Sequence, residues 1–464
     1  MVSLAAALSA HEAGLAHVRE DLEALVRIPS VSAAGFPAAE VARSAEAVAA
    51  LLRRRGFPSA EVVRVDGAHP CVLAERIEDP ALPTVLLYAH HDVQPPGDLA
   101  AWSSPPFEPT ERGGRFHGRG AADDKAGIVA LAAAVDAWVR GAGRVPVNVR
   151  LLVDGEEEIG SEHLGALLDA HRERLRADAL VVADTGNLEV GVPCLTIALR
   201  GLVTVDVEVR ALEQSLHSGV WGGPVPDPAI ALAKVLATLV DADGRLAVPG
   251  MTDAVRPLSP AQRATIAALR ITPQAFARLA RLRPGVSLVG GANPVELTWW
   301  EPALAVNALQ SSSRAGARDV VNDAAWARVG IRLVPDMSPA DVVERLDRAL
   351  RDAAPWGVEV ETHVVSASAP WSADVSHPAF AAALRALEAG YGRRALAVGC
   401  GASIPFVGPL AAALGDVPAL LVGVEDPASH AHSEDESVDL ADLARAVRAA
   451  IHLLEQLGEA LRRR

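Results

Sequence analysis

Four stretches of the chain are short, nearly unbroken apolar runs: Thr84-Val-Leu-Leu-Tyr-Ala89, Val149-Arg-Leu-Leu-Val153, Ala179-Leu-Val-Val-Ala183 and Ala419-Leu-Leu-Val-Gly-Val424. Strands of this kind are covered on both faces by helices, which is the condition of a parallel α/β sheet. Two other stretches, Val203-Thr-Val-Asp-Val-Glu-Val209 and Val358-Glu-Val-Glu-Thr-His-Val364, alternate strictly. Each of these has one wet face and belongs to a different sheet. A chain of 464 residues has room for two to three domains, and the two strand types divide it. Helices predicted at 10–26, 38–55, 126–140, 377–387 and 440–461 pack with the apolar runs. A strand (203–209), a helix (229–240), strands near 303–309 and 327–334, a helix (339–352) and a strand (358–364) follow the order βαββαβ, the ferredoxin-like arrangement. Residues 241–300 form a long insertion, partly helical around 260–282. The expectation is one discontinuous domain, 1–198 and 367–464, interrupted by a second, 199–366.

Charge and cysteine content remove several functions. The chain carries 58 acidic against 43 basic residues, a formal charge of −15, which repels phosphate backbones and anionic headgroups. Neither nucleic acid nor a membrane is an expected partner. Three distant cysteines (Cys71, Cys194, Cys400) make neither a disulfide framework nor a C-x-x-C pair. No basic residue precedes Arg19 and no apolar run approaches membrane-spanning length, so a cytoplasmic protein is expected.

In open α/β sheets ligands bind beyond the carboxyl ends of the strands, and here acids and histidines stand there. The first run ends in His90-His91-Asp92, the second in Asp154-Gly-Glu156-Glu157-Glu158, the third in Asp184, and the last leads to Glu425-Asp426 and His430-Ala-His432. Gly118-Arg-Gly-Ala-Ala-Asp123-Asp124-Lys125 opens a helix. Singly, each has a structural explanation: Asp123 or Asp124 as a helix cap, Glu156 to Glu158 as a solvated loop, Asp184 in a turn, Lys125 as a charge at a helix start. Together, carboxylates converging on one sheet edge repel one another unless cations neutralise them. His90 and Asp92 project to one side of an extended strand end, so Asp92 can accept the imidazole N–H while the other ring nitrogen binds metal. Glu157 and Glu158 point apart in an extended backbone, which suits one metal ligand and one base. This many oxygen and nitrogen ligands exceeds the needs of one tetrahedral zinc and suits two ions sharing a bridging carboxylate.

Tyr88-Ala-His90-His-Asp92-Val-Gln-Pro95, Gly118 to Lys125, Gly155-Glu-Glu157-Glu158-Ile-Gly-Ser161, Leu216-His217-Ser-Gly-Val-Trp-Gly-Gly223, Arg332-Leu-Val-Pro-Asp-Met-Ser-Pro339 and Ala431-His432-Ser433 occur in this order. The set resembles the di-metal aminoacylase and carnosinase-type dipeptidase family of metallopeptidases, whose relatives include acetylornithine deacetylase and succinyl-diaminopimelate desuccinylase. The resemblance implies a phosphorylase/hydrolase-like α/β catalytic domain with a mixed, mainly parallel sheet and an inserted α+β ferredoxin-like lid that forms a homodimer. It implies two divalent ions, zinc or alternatively manganese or cobalt, with His90 and Asp184 on one, Glu158 and His432 on the other, and Asp123 bridging. Asp92 would orient His90, Glu157 would be the general base, and His217 would reach the partner subunit's site and stabilise the oxyanion. Arg332 and Ser403 would hold the substrate's terminal carboxylate. His91 and His430 are expected to bind no metal, and Asp124 to serve local structure. Two departures, Ala402 where the family often has Gly and Asn322 where Pro is common, touch substrate contacts rather than chemistry.

The activity implied is hydrolysis of a dipeptide's amide bond. Deacylation of N-acyl amino acids is the alternative within the family, and a catalytically dead dimeric binding protein the alternative outside it. No G-x-S-x-G elbow, P-loop or G-x-G-x-x-G fingerprint follows a strand, and His11-Glu12 lacks the second histidine of H-E-x-x-H.

Overall fold

In the computed structural model, which describes residues 3–462, the chain divides into two compact units. The first runs up to Ile197, resumes at Ala373–Val398 and again from Phe406, and the second comprises Ala198–Ser372 and Gly399–Pro405. Residues 1–2 and 463–464, assigned above to the outer domain, lie outside the described residues. The segment Gly399–Pro405, expected in the outer domain, groups with the inserted unit. Its turn is held there by Arg200, whose guanidinium Nε donates to the Gly401 carbonyl at 2.9 Å.

The four apolar runs become adjacent parallel strands in the first unit, in the order Asn148–Asp154, Thr84–His90, Ala179–Val182, Ala419–Leu421. Their residues are almost all buried, as two-sided coverage requires. Because the strands are parallel, their carboxyl ends lie along one edge. Two antiparallel strands, Cys71–Arg76 and Ser59–Val63, extend the sheet beyond Asn148–Asp154. Cys194–Leu199 adds an antiparallel pairing next to Ala419–Leu421. None of these three was evident in the sequence.

Helices Leu4–Val26, Ala38–Arg54, Lys125–Ala142, Pro378–Tyr391 and Leu440–Ala460 pack into the same core. Leu440–Ala460 begins where Asp439 accepts hydrogen bonds from the Ala441 and Asp442 amides, both at 2.9 Å. Trp138, fully buried, ties Lys125–Ala142 to it by donating from Nε1 to the Ile451 carbonyl at 3.1 Å. Helices Leu164–Leu175 and Val407–Ala413 were not anticipated.

The second unit holds a four-stranded antiparallel sheet in the order Ala303–Gln310, Ala324–Leu333, Gly201–Arg210, Glu359–Ser368. Helices Pro228–Ala237 and Pro339–Asp352 cover one face, giving the ferredoxin-like strand order. Val203, Val205, Val207 and Val209 point into its core, as alternation requires. In the edge strand Glu359–Ser368 only Val360 is buried, because one neighbour is missing. The insertion carries helices Pro260–Leu269 and Pro273–Leu279, and additionally Pro294–Trp300. Among the described residues no helix is long and apolar enough to cross a membrane.

Leu346, fully buried between Pro339–Asp352 and the sheet, is the knob of this second core. Leu346→Ala is expected to destabilise the unit by about 2–5 kcal/mol, read as a lowered midpoint in differential scanning calorimetry.

Candidate metal centre

The carboxyl edge of the parallel strands carries the polar cluster. His90, the last residue of its strand, is fully buried and lies between three carboxylates. Its Nε2 is 2.9 Å from Asp123 Oδ1 and 3.6 Å from Asp184 Oδ1. On its other side Nδ1 meets the Asp92 carbonyl at 3.1 Å and Asp92 Oδ1 at 3.4 Å. The ring thus has acceptors for Nδ1–H from both the main chain and the side chain of Asp92, and Nε2 is left to face the acids.

Asp123 stands at the middle. Its Oδ1 faces His90 and its Oδ2 is 2.9 Å from Nε2 of His432. His432 Nε2 also lies 3.2 Å from Glu158 Oε2. Ligand atoms of His90, Glu157 and Asp184 fall within 4.8 Å of one another, as do those of His90, Asp123 and Glu158. The structure therefore brings together His90, Asp123, Glu157, Glu158, Asp184 and His432, all in the first unit.

The pattern of proton affinities describes a crowded anionic site. Burial, then the charges of Asp184, Glu158 and Asp123, pushes Glu157 well above the usual carboxylate range. Burial and Asp123 push Glu158 up to about 7. Burial and Asp123 also raise Asp184. Asp123 goes the other way: burial opposes ionisation, but hydrogen bonds with His432 and His90 hold it below the ordinary value. His432 is raised to about 11 by its hydrogen bonds with Asp123 and Glu158. For His90, burial alone would favour the neutral ring, and the three carboxylates overturn it. Carboxylates this close ionise together only beside concentrated positive charge. Hard oxygen donors mixed with imidazole are the donor set of zinc and similar divalent ions, and the residues present fit such ions.

Asp92 does more than orient His90. Its Oδ2 accepts from Ser32 Oγ at 2.7 Å and from the Glu158 amide at 3.1 Å, and Oδ1 from the Glu157 amide at 3.2 Å. Burial opposes ionisation of Asp92, but hydrogen bonds with His90 and Ser32 keep it below the usual range. One carboxylate thereby fixes the His90 strand end against the glutamate turn. That turn, Glu157–Ile159, is a short 3-10 helix rather than the extended backbone expected. Asp154 shapes it by accepting from the Gly155 amide and Ser161 Oγ, both at 2.7 Å. Glu156 turns away to the His69 amide and His163.

Neighbours of the cluster have structural work. His91 is buried, with Nε2 at 2.9 Å from the Pro70 carbonyl, and burial keeps its ring neutral. Asp124 stands at the N-cap of helix Lys125–Ala142, but its side chain does not cap it; Oδ2 accepts from the His90 amide at 3.2 Å. Lys125 is not a solvated charge at a helix start. It is fully buried, donates to the Leu25 and Ile28 carbonyls at 3.0 and 2.8 Å, and is brought down to about 7 by burial.

Two supporting residues escaped the sequence reading. Gln94 donates to Glu158 from its amide (3.0 Å) and from Nε2 (2.8 Å). Glu436, fully buried, accepts from Arg119 Nη1 at 2.7 Å and from the amides of Gly120, Ala122 and Asp123 at 3.0, 2.9 and 3.1 Å. It sits in the acidic run Glu434-Asp435-Glu436, where composition suggests only a wet loop. Gly120 makes the turn possible, with φ of +80° and Val93 filling the space a Cβ would need.

In the second unit, Arg332 Nη1 donates to Ser403 Oγ at 2.7 Å. His217 is exposed at the end of the short strand Leu216–His217, and its Nδ1 accepts from the Gly219 amide at 3.0 Å.

A parallel α/β sheet with imidazoles and carboxylates gathered at its carboxyl edge defines a metal-dependent hydrolase. The chain belongs to Peptidase family M20/M25/M40, whose description matches residues 86–456. It is 34% identical to a cysteinylglycine-S-conjugate dipeptidase of Corynebacterium striatum, over 90% of each chain. It is 30% identical to the human beta-Ala-His dipeptidase over 72% of this chain and 67% of that one. The solved structure of human carnosine dipeptidase 1 is similar with a TM-score of 0.84 at 26% identity, covering 98% of this chain and 99% of the other.

Glu436→Gln sets its amide NH2 either against the Ala122 and Asp123 amides or against Arg119 Nη1 and the Gly120 amide, and is expected to loosen the 118–123 loop by about 1–3 kcal/mol. Hydrogen exchange at the Gly120, Ala122 and Asp123 amides should quicken, while amides of the second unit keep their rates.

Proposed function

We propose that this protein is a di-zinc dipeptidase, cleaving dipeptides that carry a free C-terminal carboxylate. The observation that carries the reading is Asp123, with one carboxylate oxygen at His90 and the other at His432, the disposition of a ligand shared by two ions. His90 and Asp184 would hold one ion and Glu158 and His432 the other, with Asp123 between them. When bound, such cations polarise the scissile carbonyl and acidify the attacking water.

The remaining work falls to the chain. Glu157 takes a proton from the attacking water and delivers it to the leaving amine. Asp92 keeps the Glu157 amide and the His90 ring in register through one carboxylate. Arg332 and Ser403, already joined to one another, bind the terminal carboxylate as a planar fork and a hydroxyl. His217 donates to the oxyanion in the partner subunit of a homodimer. The names of two dipeptidases similar in sequence support the substrate class, and the family resemblance supports the dimer. A cytoplasmic location agrees with three cysteines that form no disulfide among the described residues.

Dialysis against a chelator is expected to abolish dipeptide hydrolysis and zinc to restore it, with metal analysis giving two ions per chain. Glu157→Gln should retain both ions and lower kcat by roughly 10²–10⁴; an active Glu157→Gln enzyme would exclude the base assignment. Mixing Glu157→Gln with His217→Ala subunits should recover activity that neither has alone, since one site of the mixed dimer then has both groups. No recovery on subunit exchange would mean that His217 does not act across the dimer.

A further inference from the structure

Arg200 lies where the strand Cys194–Leu199 passes into Gly201–Arg210, and nothing described so far uses its charge. The residue is only 9% exposed. A guanidinium withdrawn from water ordinarily faces a carboxylate, because burying an unpaired charge is costly. Arg200 has main-chain oxygens instead. Nε donates to the Gly401 carbonyl at 2.9 Å, Nη1 reaches the Glu301 carbonyl at 3.4 Å, and its own amide donates to the Ala402 carbonyl at 3.2 Å.

These contacts tie together the strand start, the end of helix Pro294–Trp300 and the turn that carries Ser403. The turn is packed tightly on the side chain: a Cβ at Gly401 would stand 3.1 Å from Arg200 Nη2 and 2.8 Å from Thr298 Cγ2. The second charge in this region is also a cation. Burial, then the charge of Arg332, draws Arg200 down to about 10, and burial lowers Arg332, with the Cys400 thiol working the other way on each. Hydrogen bonds to main-chain carbonyls and a hydroxyl leave both desolvated guanidiniums without a carboxylate partner, and an anion arriving beside them relieves that cost.

We propose that Arg200 is the positioning residue of the carboxylate subsite, fixing the Gly401–Ser403 turn and adding a second positive charge near Arg332, so that the subsite selects substrates with an ionised C-terminus. The proposal rests on the assignment of Arg332 and Ser403 to the substrate carboxylate. Neutral C-terminal amides would lose the benefit of both charges.

The test compares cysteinylglycine with its C-terminal amide, as substrates and as competing ligands, in wild type, Arg200→Gln, Arg200→Lys and Arg332→Lys. Arg200→Gln should raise KM for the dipeptide roughly tenfold to a hundredfold while kcat changes little, and leave binding of the amide nearly unchanged. Arg200→Lys keeps the charge and loses the fork, so an intermediate rise of about tenfold is expected, and it carries the test if the glutamine variant does not fold. Unchanged KM in both Arg200 variants, or equal weakening of acid and amide, would overturn the proposal. If Arg332→Lys weakens the dipeptide and the Arg200 variants do not, only the role of Arg200 falls. If Arg332→Lys has no effect and wild type binds acid and amide alike, the carboxylate subsite itself is wrongly placed and the proposal falls with it.

Discussion

Mutual repulsion among Asp123, Glu157, Glu158 and Asp184 is the constraint around which the first unit is organised. Ionised carboxylates this close do not share a buried pocket unless something fixes their positions and something else compensates their charge. Fixation comes from hydrogen bonds: Asp92 accepts from the amides of the glutamate turn, Gln94 donates to Glu158, and Glu436 accepts from the main chain of the Asp123 loop. Two of these holding groups are themselves acids, and each faces amide, hydroxyl or guanidinium hydrogens rather than the cluster. The scaffold therefore confines the negative charge to the one place where divalent cations can offset it.

The parallel sheet supplies the geometry for this. Strands that run the same way bring their carboxyl ends to a common edge, so four separate chain segments each deliver polar groups to one place. His90 and Asp184 follow neighbouring strands, the two glutamates follow the strand on the other side, and His432 follows the last. The ferredoxin-like unit obeys a different rule, in which one sheet face is covered and the other is wet. Its arginines include two, Arg200 and Arg332, that donate to main-chain carbonyls and a hydroxyl.

Much of this was legible in the sequence because burial on one or both faces leaves a period that can be read without any partner. The central strands, the alternating strand Gly201–Arg210 and the helices Lys125–Ala142 and Pro339–Asp352 lie where their patterns placed them. His90, Glu157, Glu158 and Asp184 were legible because they stand at or just beyond the ends of those strands, and Asp123 because it opens a helix. Residues whose work depends on distant segments were not. Glu436 looks like one more acid in a solvated run until the Gly118–Asp123 loop is laid over it, and Lys125 looks like an exposed charge until the carbonyls ending the helix Leu4–Val26 reach its ammonium. Arg200 follows an apolar strand and carries no motif. The short strands Ser59–Val63 and Cys71–Arg76 lie toward the edge of the sheet, where fewer neighbours impose a pattern.

The grip of Glu436 on the Asp123 amide joins residues 313 positions apart. During synthesis the segment bearing Asp123 therefore leaves the ribosome long before the residue that will shape it, and the whole inserted unit is made in between. His432 arrives only four residues ahead of Glu436. The last imidazole of the cluster and the carboxylate that sets the loop are thus delivered by a single stretch of chain. A nascent chain has three of its four central parallel strands and the acids Asp123, Glu157, Glu158 and Asp184 early, and receives the fourth strand with His432 and Glu436 only after the inserted unit has been made.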